Sequence, residues 1–351
     1  MNSFLFQNAT SVCFGHGCVK EHLPRLIQGI HNIMLAYGGG SIRRSGIYDE
    51  VMGMLTAAGK TVTEFPGIMS NPTYAKVQEG AALAKKHGVD MILGVGGGSV
   101  MDCCKAISMA AVYPGDVWES FWARPGVMDF TPLPLGVIVT AAGTGSEMNG
   151  GAVITNTEQK VKTGRDYPAC SPRFALMEPA YTMTVPKRQT ASGGFDILSH
   201  IMETYFSAPD EENVSDDISE ALMRGVIRDL RAVMQNPADP TARSNLMWEA
   251  SMAENRLIKL GKQCDFQCHQ MEHQLGAYTG CNHGEGLAVL HPAYYRRICR
   301  DGLSKFVRFA VRVWGIAPAG KADEELALAW VQPLADFIRE RRYPPARADP
   351  G

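Results

Sequence analysis

The second half of the chain holds five of its nine histidines, and several of them have the spacing of metal ligands. Asp196 and His200 are four residues apart, as are His269 and His273, so each pair projects from one face of a helix. His283 lies ten residues after His273. One carboxylate with two or three imidazoles is a suitable donor set for a divalent transition metal. The spacing alone predicts a metal site but leaves His269 and His273 equally good ligand candidates.

Cysteines close to these histidines offer a competing metal site. Cys264, Cys268 and Cys281, together with His269 and His283, contain enough thiolate and imidazole to bind a structural zinc ion. Their spacing lacks the C-x-x-C pair that is typical of such sites. Nine cysteines in 351 residues are also too sparse for a disulfide scaffold. We therefore expect these cysteines to be small buried residues.

Three glycine-containing segments follow predicted strands and indicate a nucleotide site; they are residues 38–41, 96–99 and 140–147. Backbone N–H groups and helix dipoles at such loops hold phosphate, and glycine lets the backbone approach closely. Ser99 is expected to cap the following helix and to bond a phosphate oxygen, with Asp102 in the first turn of that helix. The segments match neither the G-x-G-x-x-G nor the P-loop pattern.

The first of these loops also bears on cofactor choice. A ribose 2′-hydroxyl is normally held by an acidic residue, whereas a 2′-phosphate excludes an acid and favours arginine. The loop after Tyr37 contains no acid, and Arg43 and Arg44 come next. The sequence therefore favours NADP over NAD, the alternative being that both arginines are only solvated residues at the start of a helix.

The elements that must position these groups change character near residue 185. Short apolar strands alternate with helices in the first half, with strands predicted at 32–37, 61–65, 90–95, 135–140, 152–155 and 174–177. This alternation predicts a parallel sheet covered on both faces. Beyond Pro186 the periodicity is helical, for example over 218–233 and 244–260. We predict an α/β dinucleotide-binding domain over 1–185 and an all-helical, metal-binding domain over 186–351.

Length and composition limit the class of protein. The 351 residues are enough for two domains. Lys and Arg total 34 and Asp and Glu total 36, so the net charge of −2 gives no field that would hold nucleic acid or an anionic membrane. No apolar run approaches the roughly 20 residues of a membrane span, and the N-terminus lacks the pattern of a signal peptide. We expect a soluble, cytoplasmic protein.

Taken together, these segments resemble the iron-dependent (group III) alcohol dehydrogenase family, most closely its NADPH-using butanol dehydrogenase or aldehyde reductase branch. The similarity rests on residues 37–42, 94–99, 140–147, 186–196 and 269–283, and runs from about residue 5 to about residue 316. It implies a Rossmann-like dinucleotide-binding domain, a C-terminal helical metal-binding domain (the dehydroquinate synthase-like fold) and an active site in the cleft between them.

Matched position by position, the family motifs imply roles for individual residues. The implied metal ligands are Asp196, His200, His269 and His283, and His273 falls at the family's histidine near the nicotinamide. The implied cofactor contacts are Gly97, Gly98 and Ser99 at the pyrophosphate with Asp102 beside them, Thr140 and Thr144 in the next loop, Lys162 at the ribose, and Gly39, Gly40, Ser41 and Asn71 at the adenosine end.

The resemblance also implies the reaction. Hydride would pass between nicotinamide C4 and the carbonyl carbon of a small aldehyde, with Fe²⁺ or Zn²⁺ polarising the substrate oxygen and His273 as a candidate proton relay. Asp and His donors do not distinguish iron from zinc. An NAD-dependent zinc polyol dehydrogenase of the glycerol type and a non-catalytic nucleotide-binding relative remain alternatives. A dehydroquinate synthase would need an additional Lys and Arg cluster, which we do not find in the helical half.

Further expectations concern the substrate, the assembly and the C-terminus. We expect a small aldehyde or alcohol as substrate, a homodimer, and no nucleic acid or membrane partner. Trp118, Phe121 and Trp122 would either line an apolar pocket or pack a helix. The family similarity weakens after residues 313–316, and residues 341–351 do not resemble the family's closing helices, so we expect a shortened helical domain.

Overall fold

The computed structural model describes residues 2–340, which form two compact units. The α/β unit comprises Gln7–Thr184 and His273–Gly280, and the helical unit comprises residues 2–6, 185–272 and 281–340. No helix in the described part of the chain is long and apolar enough to cross a membrane. Residues 341–351, where the sequence is expected to depart from the family, lie outside the described range.

The α/β unit contains a six-stranded parallel sheet with the strand order β1–β8–β5–β4–β2–β3 and a separate antiparallel hairpin of β6 and β7. The strands are β1 (Ser11–Phe14), β2 (Asn32–Tyr37), β3 (Thr61–Phe65), β4 (Met91–Gly96), β5 (Leu135–Val139), β6 (Gly151–Asn156), β7 (Val161–Asp166) and β8 (Phe174–Met177). The helices are α1 (Cys18–Leu26), α2 (Ser41–Arg44), α3 (Ile47–Ala57), α4 (Tyr74–Lys86) and α5 (Gly98–Ala110).

Burial explains why these strands lie in a covered sheet. Every residue of β4, β5 and β8 is buried, as expected for parallel strands with helices on both faces. On one face the strands share an apolar cluster with α1 and α3, which contribute residues such as Leu23, Val51 and Leu55. Helix α5 packs against β4 and is buried along nearly its whole length. The sheet therefore holds the ends of β2, β4 and β5 side by side.

The predicted parallel sheet is confirmed, with corrections at its margins. The predicted strand at 152–155 is not part of this sheet, because β6 forms its ladder with β7 of the hairpin. Ser99 does not cap α5, which begins at Gly98 with Gly97 as its cap residue, and Asp102 therefore lies just beyond the first turn. Four elements, β1, α1, α2 and β7, were not predicted from the sequence. These are short or weakly patterned segments, whose structure depends on tertiary contacts.

The helical unit consists of helices joined by loops, two of which contain a short helical turn of their own, Leu257–Lys259 and Phe309–Val313. The helices are α6 (Lys187–Tyr205), α7 (Val214–Gln235), α8 (Pro240–Glu254), α9 (Gln267–Thr279, of which His273–Gly280 groups with the α/β unit), α10 (His283–Ile298), α11 (Leu303–Arg308), α12 (Asp323–Ala329) and α13 (Val331–Glu340). The side chains of Asn213 and Asp239 cap α7 and α8. Helix α8 ends before the predicted limit of residue 260, since Arg256 adopts a positive φ of 75°.

Candidate metal centre and nucleotide-binding loops

Three helices bring four side chains of the helical unit together around one carboxylate. Asp196 and His200 lie on α6, His269 on α9, and His283 is the first residue of α10. Asp196 Oδ1 lies 3.5 Å from His200 Nδ1, 3.8 Å from His269 Nε2 and 3.5 Å from His283 Nε2. The i,i+4 pair on α6 thus faces two histidines that are distant in sequence, a convergence that spacing alone does not reveal.

Two atoms that face each other in this group lack a hydrogen-bond partner in the described part of the chain, and a bound cation would satisfy both. Asp196 and His200 are 4% and 8% exposed, and Asp196 Oδ1 and His200 Nδ1 have no hydrogen-bond partner within residues 2–340. Burial raises the pKa of Asp196, but the interactions of this carboxylate with His200, His283 and His269 outweigh burial and hold that pKa well below its ordinary value. The carboxylate is therefore ionised. One anionic oxygen and three imidazole nitrogens in a buried site fit a divalent transition metal.

Two buried glutamates stand behind the histidines and are absent from the sequence prediction. Glu203 of α6 contacts His269 Nδ1 and accepts hydrogen bonds from the backbone N–H groups of Cys268 at 2.7 Å and His269 at 3.0 Å. Glu272 of α9 contacts Nδ1 of His283. A carboxylate at Nδ1 fixes the tautomer and ring orientation that leave Nε2 for a metal.

A sequence signal for these glutamates exists. Glu203 lies three residues after His200, and Glu272 lies three residues after His269. Since residues three apart share a helix face, each glutamate belongs to the face that carries a candidate ligand. Each one nevertheless contacts a histidine on another helix. The spacing thus locates the glutamates but does not identify their partners.

The start of α10 is seated on α6, and this seating positions His283. Ser192 bonds the side chain of Asn282, and Arg188 forms a bidentate pair with Glu285 at 2.5 and 2.8 Å. A Cβ atom at Gly284 would lie 2.2 Å from the carbonyl oxygen of Ser192. Only glycine therefore permits this approach of the two helices.

The other candidate ligands do not belong to the metal-capable group that contains Asp196, His200 and His269. His273 is 6% exposed and groups with the α/β unit, where its ring lies close to Gly164 of β7. The groups of metal-capable side chains found in the described chain contain no cysteine. Cys264 and Cys281 are partly buried and Cys268 is buried. Burial raises the pKa of Cys268, which favours the neutral thiol over the thiolate that a zinc ion requires.

The glycine loops lie at the carboxyl ends of three adjacent strands of the α/β unit. In the strand order β5–β4–β2, the loop after β5, which contains Thr140 and Thr144, lies next to the loop after β4, which contains Gly97 and Gly98. The loop after β4 in turn lies next to the loop after β2. A Cβ atom at Gly98 would lie 2.3 Å from Thr144 Oγ1, so glycine is needed for the close approach of these two loops. Strand order reverses between β4 and β2, which is where ligands of open α/β sheets bind.

Asp102 and a buried lysine hold the third loop in place. Asp102 accepts hydrogen bonds from Ser146 Oγ at 2.7 Å and from the backbone N–H of Val153 at 2.9 Å. Lys105, which sequence reasoning missed, is fully buried and donates to the carbonyl and hydroxyl oxygens of Ser146 and to Asn149. Both side chains thus connect α5 with the segment that follows β5. Direct cofactor contact by Asp102 or Ser99 stays a prediction.

The residues expected at the adenosine and ribose end lie on several elements. Gly39 and Gly40 precede α2, which starts at Ser41. Asn71 has a positive φ of 53° and precedes Pro72, whose carbonyl accepts a hydrogen bond from Thr155 of β6. Thr155 pairs with Lys162 of β7. The hairpin thus brings Asn71 and Lys162, which are distant in sequence, into one part of the α/β unit.

The three aromatic residues that were expected either to line an apolar pocket or to pack a helix are packing residues. Trp118, Phe121 and Trp122 are 1–2% exposed and form a short π-helical turn, Trp118–Trp122. Trp118 donates to Gln159, and Trp122 donates to the carbonyl of Ala152. These contacts hold the turn against the β6–β7 hairpin.

Comparison with known families covers nearly the whole chain. The sequence model described as iron-containing alcohol dehydrogenase matches residues 9–179, and that described as the C-terminal part of the Fe-containing alcohol dehydrogenase family matches residues 190–350. The second match extends well past residue 316, where the motifs alone had placed the end of the similarity.

Individual relatives give the same result. The chain is 38% identical to a probable NADH-dependent butanol dehydrogenase of Bacillus subtilis, over 99% of this chain and 90% of the relative. It is 32% identical to the NADPH-dependent aldehyde reductase YqhD of Escherichia coli, over 100% of this chain and 90% of that protein. The crystal structure of an NADH-dependent butanol dehydrogenase from Thermotoga maritima superposes with a TM-score of 0.92 at 36% identity, covering 97% of this chain and 85% of the other.

Proposed function

Since this chain belongs to the iron-containing alcohol dehydrogenase family and is an NAD(P)-dependent oxidoreductase, we propose that it interconverts small aldehydes and primary alcohols with NADP(H) preferred over NAD(H). The observation that carries the proposal is the convergence of one ionised carboxylate and three imidazoles in a buried site. We assign the α/β dinucleotide-binding domain to residues 1–185 and the helical, metal-binding domain to residues 186–351. A homodimer is part of the proposal.

The residues that would hold one Fe²⁺ or Zn²⁺ are Asp196, His200, His269 and His283. When bound, the metal supplies a Lewis acid for the substrate oxygen. Asp196 contributes the negative charge and the histidines contribute neutral Nε2 or Nδ1 donors. Glu203 and Glu272 keep two of the rings in the ligand tautomer. Asp196, His200 and His269 are buried, which strengthens their electrostatic interactions, and His283 is partly exposed.

The proposed cofactor contacts belong to the α/β unit. Gly97, Gly98 and Ser99 would hold the pyrophosphate at the start of α5. The remaining proposed contacts are Asp102, Thr140, Thr144, Lys162, Gly39, Gly40, Ser41 and Asn71. His273 would relay the proton between the substrate oxygen and water or ribose hydroxyls. The nicotinamide supplies the hydride, and the protein supplies position and electrostatics.

The preference for NADP(H) is supported by the loop after β2. That loop contains no acidic residue, and Arg43 and Arg44 end the short helix that follows it. An arginine there favours the 2′-phosphate. The names of the relatives include both NADH-dependent and NADPH-dependent enzymes, so they do not decide the point.

The proposal is tested by reconstituting the protein with Fe²⁺ under anaerobic conditions, or with Zn²⁺, and assaying a panel of straight-chain, branched and aromatic aldehydes with NADPH and NADH. We expect aldehyde reduction that depends on bound metal, with a higher kcat/KM for NADPH. In His269→Ala both metal content and aldehyde reduction should fall. Full metal content and full reduction in that variant would contradict the proposed ligand set, and a strict requirement for a polyol substrate and NAD would favour the zinc polyol dehydrogenase.

A further inference from the structure

A charged and aromatic cluster lies beside the loop after β2, and it includes Arg43, which the proposed function takes as favouring the 2′-phosphate. Its members are Tyr37 at the end of β2, Arg43 on α2, Tyr48 on α3 and Glu64 on β3. We call it the Arg43 cluster. Parallel pairing of β2 with β3 sets Glu64 opposite Leu35, two residues before Tyr37. Strand pairing thus supplies the acid that the loop sequence lacks.

The cluster holds the guanidinium of Arg43 from several directions. Arg43 Nη2 donates to Glu64 Oε2 and to Tyr37 Oη, each at 2.6 Å, and Tyr37 Oη donates to Glu64 Oε2 at 2.6 Å. The guanidinium also stacks on Tyr48, 3.6 Å from the ring centroid. Hydrogen bonding from Tyr37 lowers the pKa of Glu64, so this carboxylate is ionised at neutral pH. Glu64 therefore balances the positive charge of Arg43, and these contacts hold the guanidinium in position.

The Arg43 cluster adjoins the residues that are proposed to bind the adenosine end of the cofactor. Arg43 is two residues beyond Ser41, and Tyr37 is two residues before Gly39. Both neighbours belong to the loop that the proposed function assigns to the adenosine end. The 2′-phosphate is the part of the cofactor that distinguishes NADP(H) from NAD(H), and it would be the natural partner of a free guanidinium at this position.

We propose that Glu64 is a specificity-determining residue, which restrains Arg43 and thereby weakens the discrimination in favour of NADP(H). This inference rests on the proposed function. Glu64 competes with the 2′-phosphate for the same guanidinium. This competition does not affect the binding of the 2′-hydroxyl of NAD(H). Removing the carboxylate should therefore raise affinity for NADP(H) selectively.

The test measures dissociation constants of NADPH and NADH by nicotinamide fluorescence, in the metal-loaded enzyme without substrate. In Glu64→Gln the ratio of the NADH constant to the NADPH constant should rise about two- to fivefold, the range for a partly exposed ion pair. The gain should come from NADPH alone. In the double variant Glu64→Gln with Arg43→Gln the gain should disappear, because the freed guanidinium is what contacts the phosphate.

The matched control is Glu50→Gln on α3, whose carboxylate bonds Tyr181 and lies outside the Arg43 cluster. It removes the same charge from the same unit and should leave the ratio unchanged. The inference is overturned by an unchanged ratio in Glu64→Gln, by a gain that persists in the double variant, or by an equal gain in the control. Failure of the wild-type protein to bind either nucleotide would instead contradict the proposed function itself.

Discussion

The contact between Gly284 and Ser192 gives a quantitative prediction about the metal centre. In Gly284→Ala the new Cβ atom would lie 2.2 Å from the carbonyl oxygen of Ser192, whereas ordinary contacts begin near 3.4 Å. The start of α10 must therefore move by about 1.2 Å, the difference of these two distances. His283 is the adjacent residue, and a metal site tolerates changes in ligand distance of only about 0.2 Å.

We expect the affinity for Zn²⁺ or Fe²⁺ to fall about 10- to 100-fold, as when groups that orient a ligand are lost. This corresponds to about 1.4–2.7 kcal/mol. The assay is competition with a chromophoric chelator, combined with thermal unfolding of the metal-free protein. The control is Gly53→Ala on α3, where a Cβ atom meets nothing within 4 Å. A folded Gly284→Ala variant with wild-type metal affinity would refute the argument that this contact positions His283.

Three further substitutions test other parts of the structure. Glu203→Gln should weaken metal binding about tenfold in the same competition assay, because it removes the carboxylate at His269 Nδ1, and equal affinity would contradict this role. Burial, reinforced by Asp229, raises the pKa of Glu249 from 4.5 to about 8. Between these pH values the folded state thus retains a proton that the unfolded state loses. As the pH rises through this range, the unfolding free energy of the wild type, relative to that of Glu249→Gln, should fall by roughly a few kcal/mol. A constant difference in unfolding free energy across that pH range would argue against this. Lys105→Met leaves several buried acceptors unpaired and should lower the melting temperature of the protein and raise KM for the nucleotide, whereas an unchanged KM would exclude a role in loop positioning.

Local patterns in the sequence predicted the architecture because they report which face of an element is buried. Apolar runs followed by glycine located β2, β4 and β5, and the four-residue spacing of Asp196 and His200 placed both on one face of α6. Which strands pair with each other is harder to predict from local patterns, since strand pairing depends on the whole fold. The β6 strand was therefore placed in the wrong sheet.

The residues that sequence reasoning missed are those whose partners are distant in the chain. Glu203 meets His269 across 66 residues, and Lys105 meets Ser146 across 41. Glu64 reaches Arg43 across 21 residues, because two parallel strands pair. In each case the residue type fits the chemistry, but only the tertiary structure identifies the partner. The same limit applies to His269 and His273, which spacing could not tell apart and which group with different units.

The central claim is that one carboxylate and three imidazoles form the metal site. X-ray absorption spectroscopy of the protein loaded with one equivalent of Zn²⁺ tests it most directly. We expect a first shell of nitrogen and oxygen atoms at about 2.0–2.2 Å with the outer-shell signature of imidazole. A sulfur shell at about 2.3 Å would contradict it, because that result would place the metal on the cysteines instead of Asp196, His200, His269 and His283.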